Sequence, residues 1–168
     1  MRILGIDPGY AICGYGLIET KASKMQVIDY GVISTNKNMP FEQRLLAVYS
    51  GVNHLISRYN PDVMSIEDLF FYNNSTTGIA TAESRGVVIL AGAQANLPIY
   101  EYTPQQVKNA VTGYGRADKK QVQKMVKVLL NLKEIPQPDD AADALAVAVA
   151  QANIGRPDFG QKLKGGYH

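Results

Sequence analysis

Arg2-Ile3-Leu4-Gly5-Ile6-Asp7-Pro8-Gly9 opens the chain. Ile3, Leu4 and Ile6 read as a buried strand, and Pro8-Gly9 forces the backbone out of it. Asp7 therefore stands at the lip of a sheet. An Asp before Pro-Gly is, by itself, ordinary turn chemistry through its own side-chain hydrogen bonds. Its weight comes from three more carboxylates, distant in sequence, that this fold would bring to the same place.

Working outward, Gly14-Tyr15-Gly16-Leu17-Ile18-Glu19 reads as a second strand, Lys21 to Lys24 as a polar turn, and Met25 to Ser34 as a third strand. Three strands joined by short turns imply an antiparallel meander. From Pro40 the period changes. Phe41, Leu45, Val48, Tyr49, Val52, Leu55, Ile56 and Tyr59 recur every three or four residues, one apolar helical stripe that Asn60-Pro61-Asp62 stops. Val63 to Ile66 is a fourth strand that runs into Glu67 and Asp68, so a strand again ends in acid. Ser75 to Asn96 is rich in small residues and reads as a helix that packs closely on its neighbours, or on a second subunit. Leu97 to Tyr102 is a fifth strand, and Thr103-Pro104 opens a helix with cap and first-turn residues.

After Gly113-Tyr114-Gly115, Asp118 is placed to cap a helix with the stripe Val122, Met125, Val126, Leu129 and Leu130 and with Lys120, Lys124 and Lys127 on its other side. The last helix, Asp139 to about Asn153, is apolar nearly all round and should be buried. This order predicts an α/β domain, a mixed five-stranded sheet flanked by helices, over residues 1–153, followed by a flexible tail over 154–168.

Composition narrows the chemistry. One cysteine, Cys13, excludes an intrachain disulfide and a cysteine-based zinc site, and its apolar neighbours suit a small buried residue. His54 lies in a helical stretch and His168 at the chain end, so neither reads as a ligand. No apolar run of about 18 residues is present and the start is a strand, which places the chain in the cytoplasm, away from membranes.

Asp139-Asp140-Ala141-Ala142-Asp143 begins the last helix. Residues three apart share a face, so Asp140 and Asp143 point at a common target. Complementing the helix dipole accounts for Asp139. It accounts poorly for Asp143, which stands among alanines on a buried helix where an unpaired charge costs several kcal/mol. A cation removes that cost. Asp7, Glu67, Asp140 and Asp143 together form an oxygen-only donor set suited to Mg²⁺, with Mn²⁺ next, and paired metals about 4 Å apart are a recurrent device for phosphodiester hydrolysis. With these four acids assigned to metal, 17 basic residues face eleven acids, leaving the remaining surface at +6, which suits a polyanion.

The motifs Leu4-Gly5-Ile6-Asp7-Pro8-Gly9 with Gly14-Tyr15-Gly16, then Ile66-Glu67, Gln106-Val107-Lys108 and Asp140-Ala141-Ala142-Asp143-Ala144-Leu145-Ala146 give the chain its family likeness. It resembles the RuvC-type Holliday-junction resolvases, dimeric bacterial endonucleases with a ribonuclease-H-like fold, from Ile3 to about Ala150. The resemblance implies that Asp7, Glu67, Asp140 and Asp143 are metal-binding catalytic carboxylates; Asp68 and Asp139 do not match. It implies that Lys108 and Lys119 act near the scissile strand, against the plain alternative of a solvated basic face. Seven basic residues and one acid, Asp118, between Lys108 and Lys133 favour phosphate contact in either case. Phe70 matches an aromatic that stacks on a base at the junction centre, and Phe70-Phe71-Tyr72 reads equally as a core plug.

The implied activity is structure-selective resolution of four-way junctions in recombination and repair, by paired nicks that leave 5′ phosphate and 3′ hydroxyl. Homodimerisation and the branch-migration proteins RuvA and RuvB are implied partners. Two other readings stay open: a non-catalytic junction-binding module, and a phosphate-binding ATPase of the actin-like fold, for which 168 residues are short of two lobes.

Overall fold

The computed structural model describes residues 1–22, 24–69 and 76–155. Strands β1 (Arg2–Asp7), β2 (Ile12–Lys21) and β3 (Lys24–Ser34) are followed by helix α1 (Phe41–Tyr59), strand β4 (Val63–Glu67), helix α2 (Thr76–Gln94), strand β5 (Ile99–Tyr102) and helices α3 (Pro104–Thr112), α4 (Lys119–Leu129) and α5 (Asp139–Ile154). The sheet order is β3-β2-β1-β4-β5. β1, β2 and β3 pair antiparallel, whereas β4 joins β1, and β5 joins β4, in parallel. This is the mixed five-stranded sheet the sequence predicts.

The meander follows from two tight reversals, and the parallel half from the helices that carry the chain back across the sheet. Residue parity then divides the core. Leu4, Ile6, Cys13, Leu17, Met64 and Ile66 face one way and are fully buried, packed against Val48 and Val52 of α1 and Val88 and Ala91 of α2. Ile3, Ile18, Val63 and Tyr102 face the other way, under α3, α4 and α5. Cys13 is a buried free thiol pushed up to about 12, chiefly by burial, and His54 is exposed on α1.

On that second face α5 lies directly on the strands. Gly5 pairs with Gly16 across β1 and β2. A Cβ on Gly5 would come within 2.3 Å of the Ala144 carbonyl oxygen, and one on Gly16 within 2.7 Å of the Leu145 amide nitrogen. The missing side chains are thus the seat of the helix, and the alanines of α5 are the complementary small surface. Residues 141, 142 and 144–151 are all buried, as the near-uniform apolarity of the stretch predicts. The Tyr102 hydroxyl donates to Gln151 Oε1 at 2.7 Å, pinning the far end of α5 to β5.

Candidate active site

Parity also aims the acids. Asp7 is two residues beyond Gly5, and Glu67 two beyond Ser65, which is the residue Gly5 pairs with on β4. Both carboxylates therefore emerge on the α5 face, where their strands end. α5 begins over the same edge. Gly14, opposite Asp7, leaves room for the first turn of α5: a Cβ there would come within 2.0 Å of the Asp140 carbonyl oxygen. Asp140 and Asp143 are thereby brought to the ends of β1 and β4.

Electrostatics register this gathering. Burial first, then the charges of Glu67, Asp143 and Asp140, push the Asp7 carboxyl up to about 7. Glu67 is pushed up to about 7 by burial and by Asp143, with Lys108 and Lys119 pulling the other way. Asp143 is raised by burial, and its hydrogen bond with Lys119 opposes the rise. Carboxylates that hold one another partly protonated near neutrality are chemically loaded groups, for which a cation is the natural complement.

The lysines stand at the same place. A cleft of about 260 Å³ is bounded by Glu67, Lys108, Lys119 and Asp143, with apolar walls from Val107 and Val122. α3 presents Lys108 because a capping box between Thr103 and Gln106, with Pro104 in the first turn, starts the helix there. α4 presents Lys119 in its first turn because Asp118 and Gln121 form a second capping box. The Lys119 ammonium lies 2.9 Å from Asp143 Oδ2 and 3.2 Å from Asp139 Oδ2. Burial lowers its pKa, but the two carboxylates outweigh that and hold it above the ordinary lysine value.

Six of the seven residues singled out in the sequence are thus gathered at one sheet edge, and Phe70 lies outside the described residues. With Asp143 directed at Lys119, no three acid, histidine or cysteine side chains among the described residues converge as a ready metal cage. The donor set nonetheless fits a hard divalent cation: it is all oxygen, and two of its members, Asp7 and Glu67, are half-buried and raised by neighbouring acids.

Two neighbouring acids have partners of their own. Asp68 stands 3.9 Å from Arg85 of α2, whose guanidinium also pairs with Glu101 of β5. Asp139 accepts from Gln123 at 3.0 Å as well as from Lys119. The Asp139 contacts go beyond the helix-dipole reading. A signal was present in the sequence, since Lys119 and Gln123 are four apart and share one face of α4.

Comparison with known proteins identifies the family. The family model described as crossover junction endodeoxyribonuclease RuvC matches residues 3–151. Proteins of that name from Caldicellulosiruptor saccharolyticus and Thermosipho melanesiensis are 60% and 57% identical, covering 89% and 88% of this chain and 90% and 94% of their own lengths. The solved structure of T. thermophilus RuvC in complex with a Holliday junction substrate superposes with a TM-score of 0.92 at 34% identity, over 97% of this chain and 99% of that one. With the family's model matching all but the terminal residues of the sheet-and-helix fold, the chain belongs to the RuvC family of crossover junction endodeoxyribonucleases.

Proposed function

We propose that this chain resolves four-way DNA junctions by hydrolysing one phosphodiester in each of two strands, with residues 1–153 as a single nuclease domain. The observation that carries the reading is the convergence at one sheet edge of two half-buried strand-end carboxylates, Asp7 and Glu67, each raised by neighbouring acids, with a cleft lined by Glu67, Asp143, Lys108 and Lys119. Asp7, Glu67, Asp140 and Asp143 would hold Mg²⁺, two ions per site, with Mn²⁺ as a substitute. Such ions, when bound, supply an activated water and stabilise charge on the departing 3′ oxygen. Lys108 and Lys119 bind the non-bridging phosphate oxygens and hold the scissile strand in line. Products carry a 5′ phosphate and a 3′ hydroxyl.

Symmetric nicking needs two sites related by a dyad. α2 supports a homodimer: Ile79 and Leu90 are 63% and 50% exposed, and between them a Cβ on Gly86 would meet no atom within 4 Å. These positions recur at helical spacing along the outer side of α2, a largely apolar face that also carries the exposed Glu83 and is suited to a second copy. Replacing Leu90 by Asp is expected to give a monomer by light scattering and single, uncoupled nicks. Base stacking by Phe70, and work alongside RuvA and RuvB, belong to the same reading; Phe70→Ala tests the former by cleavage of an intact junction.

The decisive experiment compares a labelled four-way junction with a linear duplex of the same sequence, in Mg²⁺ or EDTA, using wild type and Asp7→Asn. Paired nicks confined to the junction, absent in EDTA and with Asp7→Asn, are expected. Tight junction binding with no cut in Mg²⁺ or Mn²⁺ would turn the reading to a non-catalytic binder.

A further inference from the structure

Asp139 is engaged at both carboxylate oxygens. Oδ1 accepts from Gln123 Nε2 at 3.0 Å, and Oδ2 lies 3.2 Å from the Lys119 ammonium. Gln123 is only 7% exposed, so its amide is a fixed donor whose loss would leave a buried polar group unsatisfied. A half-exposed lysine-carboxylate pair is ordinarily loose, because two flexible side chains must be held in one geometry. Here the carboxylate is held from behind by a buried group on the same helix as the lysine. The lysine then has two carboxylates to bridge, Asp139 at the outer side and Asp143 at the cleft.

We propose that Asp139 is a positioning residue: anchored by Gln123, it fixes the Lys119 ammonium beside Asp143, so that the lysine is in place before a phosphate arrives. This deepens the reading of Lys119 as a phosphate-binding lysine and rests on it. A lysine on a four-carbon stem that is not held samples many rotamers, and ordering it at the moment of reaction raises the barrier. Removing Asp139 therefore slows the cutting step and leaves junction affinity nearly untouched.

The test uses Asp139→Asn, Asp139→Glu, Lys119→Ala and the double variant Lys119→Ala/Asp139→Asn. Single-turnover cleavage of a four-way junction in Mg²⁺ gives the rate, and titration of the junction gives affinity. A readout independent of catalysis is the acetylation rate of the Lys119 amine in metal-free protein, measured by mass spectrometry with Lys120 as internal reference.

Asp139→Asn is expected to cut roughly 10-fold more slowly at an affinity within about 2-fold of wild type. Lys119 labelling should rise several-fold, and Asp139→Glu should recover part of the rate. The double variant should cut no more slowly than Lys119→Ala alone. A further loss in the Lys119→Ala background, or unchanged Lys119 labelling, would overturn the proposal. Wild-type cleavage by Lys119→Ala would instead overturn the role of the lysine, a result that the labelling experiment separates from the hold that Asp139 has on it.

Discussion

Glu67 and Glu101 stand on adjacent strands at the same end of the sheet, yet their fates differ. Glu101 pairs with Ile66 and so faces α2, where the Arg85 guanidinium meets it with Asp68 3.9 Å away. Glu67 faces α5, where it meets Asp143, and burial together with that charge pushes it up to about 7. One face of the sheet neutralises its acid with a fixed cation; the other concentrates acids and only partly offsets them with lysine. The first arrangement holds structure together, and the second holds charge ready for a ligand.

The largest effect should come from the loaded face. Asp7→Asn removes a carboxylate from the donor set without changing its size. Loss of a partner one shell further out costs 10- to 100-fold in many metal sites, so junction cleavage should fall by more than about 100-fold. Binding of the junction, measured by gel shift in Ca²⁺, should persist. Retained cleavage would show that the two faces do not differ in the way described.

Much of this contrast was legible in the chain. The apolar run into Asp7, the run into Glu67, and the three-residue spacing of Asp140 and Asp143 are local patterns, and all four acids are gathered at one edge. The seat of α5 was not legible. That Gly5 and Gly16 pair under Ala144 and Leu145 is a register fact, which exists only once the strands are aligned. The cation facing Glu101 was hidden for a similar reason: Arg85 and Glu101 are joined by a helix-sheet contact that no sequence period reports. Asp139 shows a third case. A first-turn acid has a sufficient local explanation, and its contacts with Gln123 and Lys119 come from packing between α4 and α5.

The neutralised face gives a stability effect instead. Arg85 and Glu101 are 17% and 20% exposed at the side chain, so Arg85→Met leaves a largely buried carboxylate without its cation. A cost of about 3 kcal/mol is expected, read as a drop in urea midpoint at unchanged slope. Cleavage per folded molecule should change little. Arg85→Met/Glu101→Met should recover much of the loss, because the uncompensated charge goes with its partner. A comparable cost follows from Gly16→Ala, for the opposite reason: its methyl group would meet the backbone of α5, and the helix must move. That variant should lose stability and cleavage together, since the same helix carries Asp140 and Asp143.

The smallest effect is the most direct reading of charge on the loaded face. Asp7 and Glu67 are both raised to about 7 in the folded chain, against about 4 for an unfolded carboxylate. Between those values the folded chain binds more protons than the unfolded one. Stability of the metal-free protein therefore falls as pH rises from about 4 to about 7, and levels off above that window. The melting temperature should drop by several degrees between pH 5 and pH 8, and Asp7→Asn should flatten part of the slope. Mg²⁺ acts in the other direction, because it binds the ionised carboxylates of the folded state. Its stabilising shift should be larger at pH 8 than at pH 5, where protons compete for the same oxygens. Equal Mg²⁺ shifts at the two pH values would mean that the ion binds elsewhere, and the contrast between Glu67 and Glu101 would then be one of burial alone.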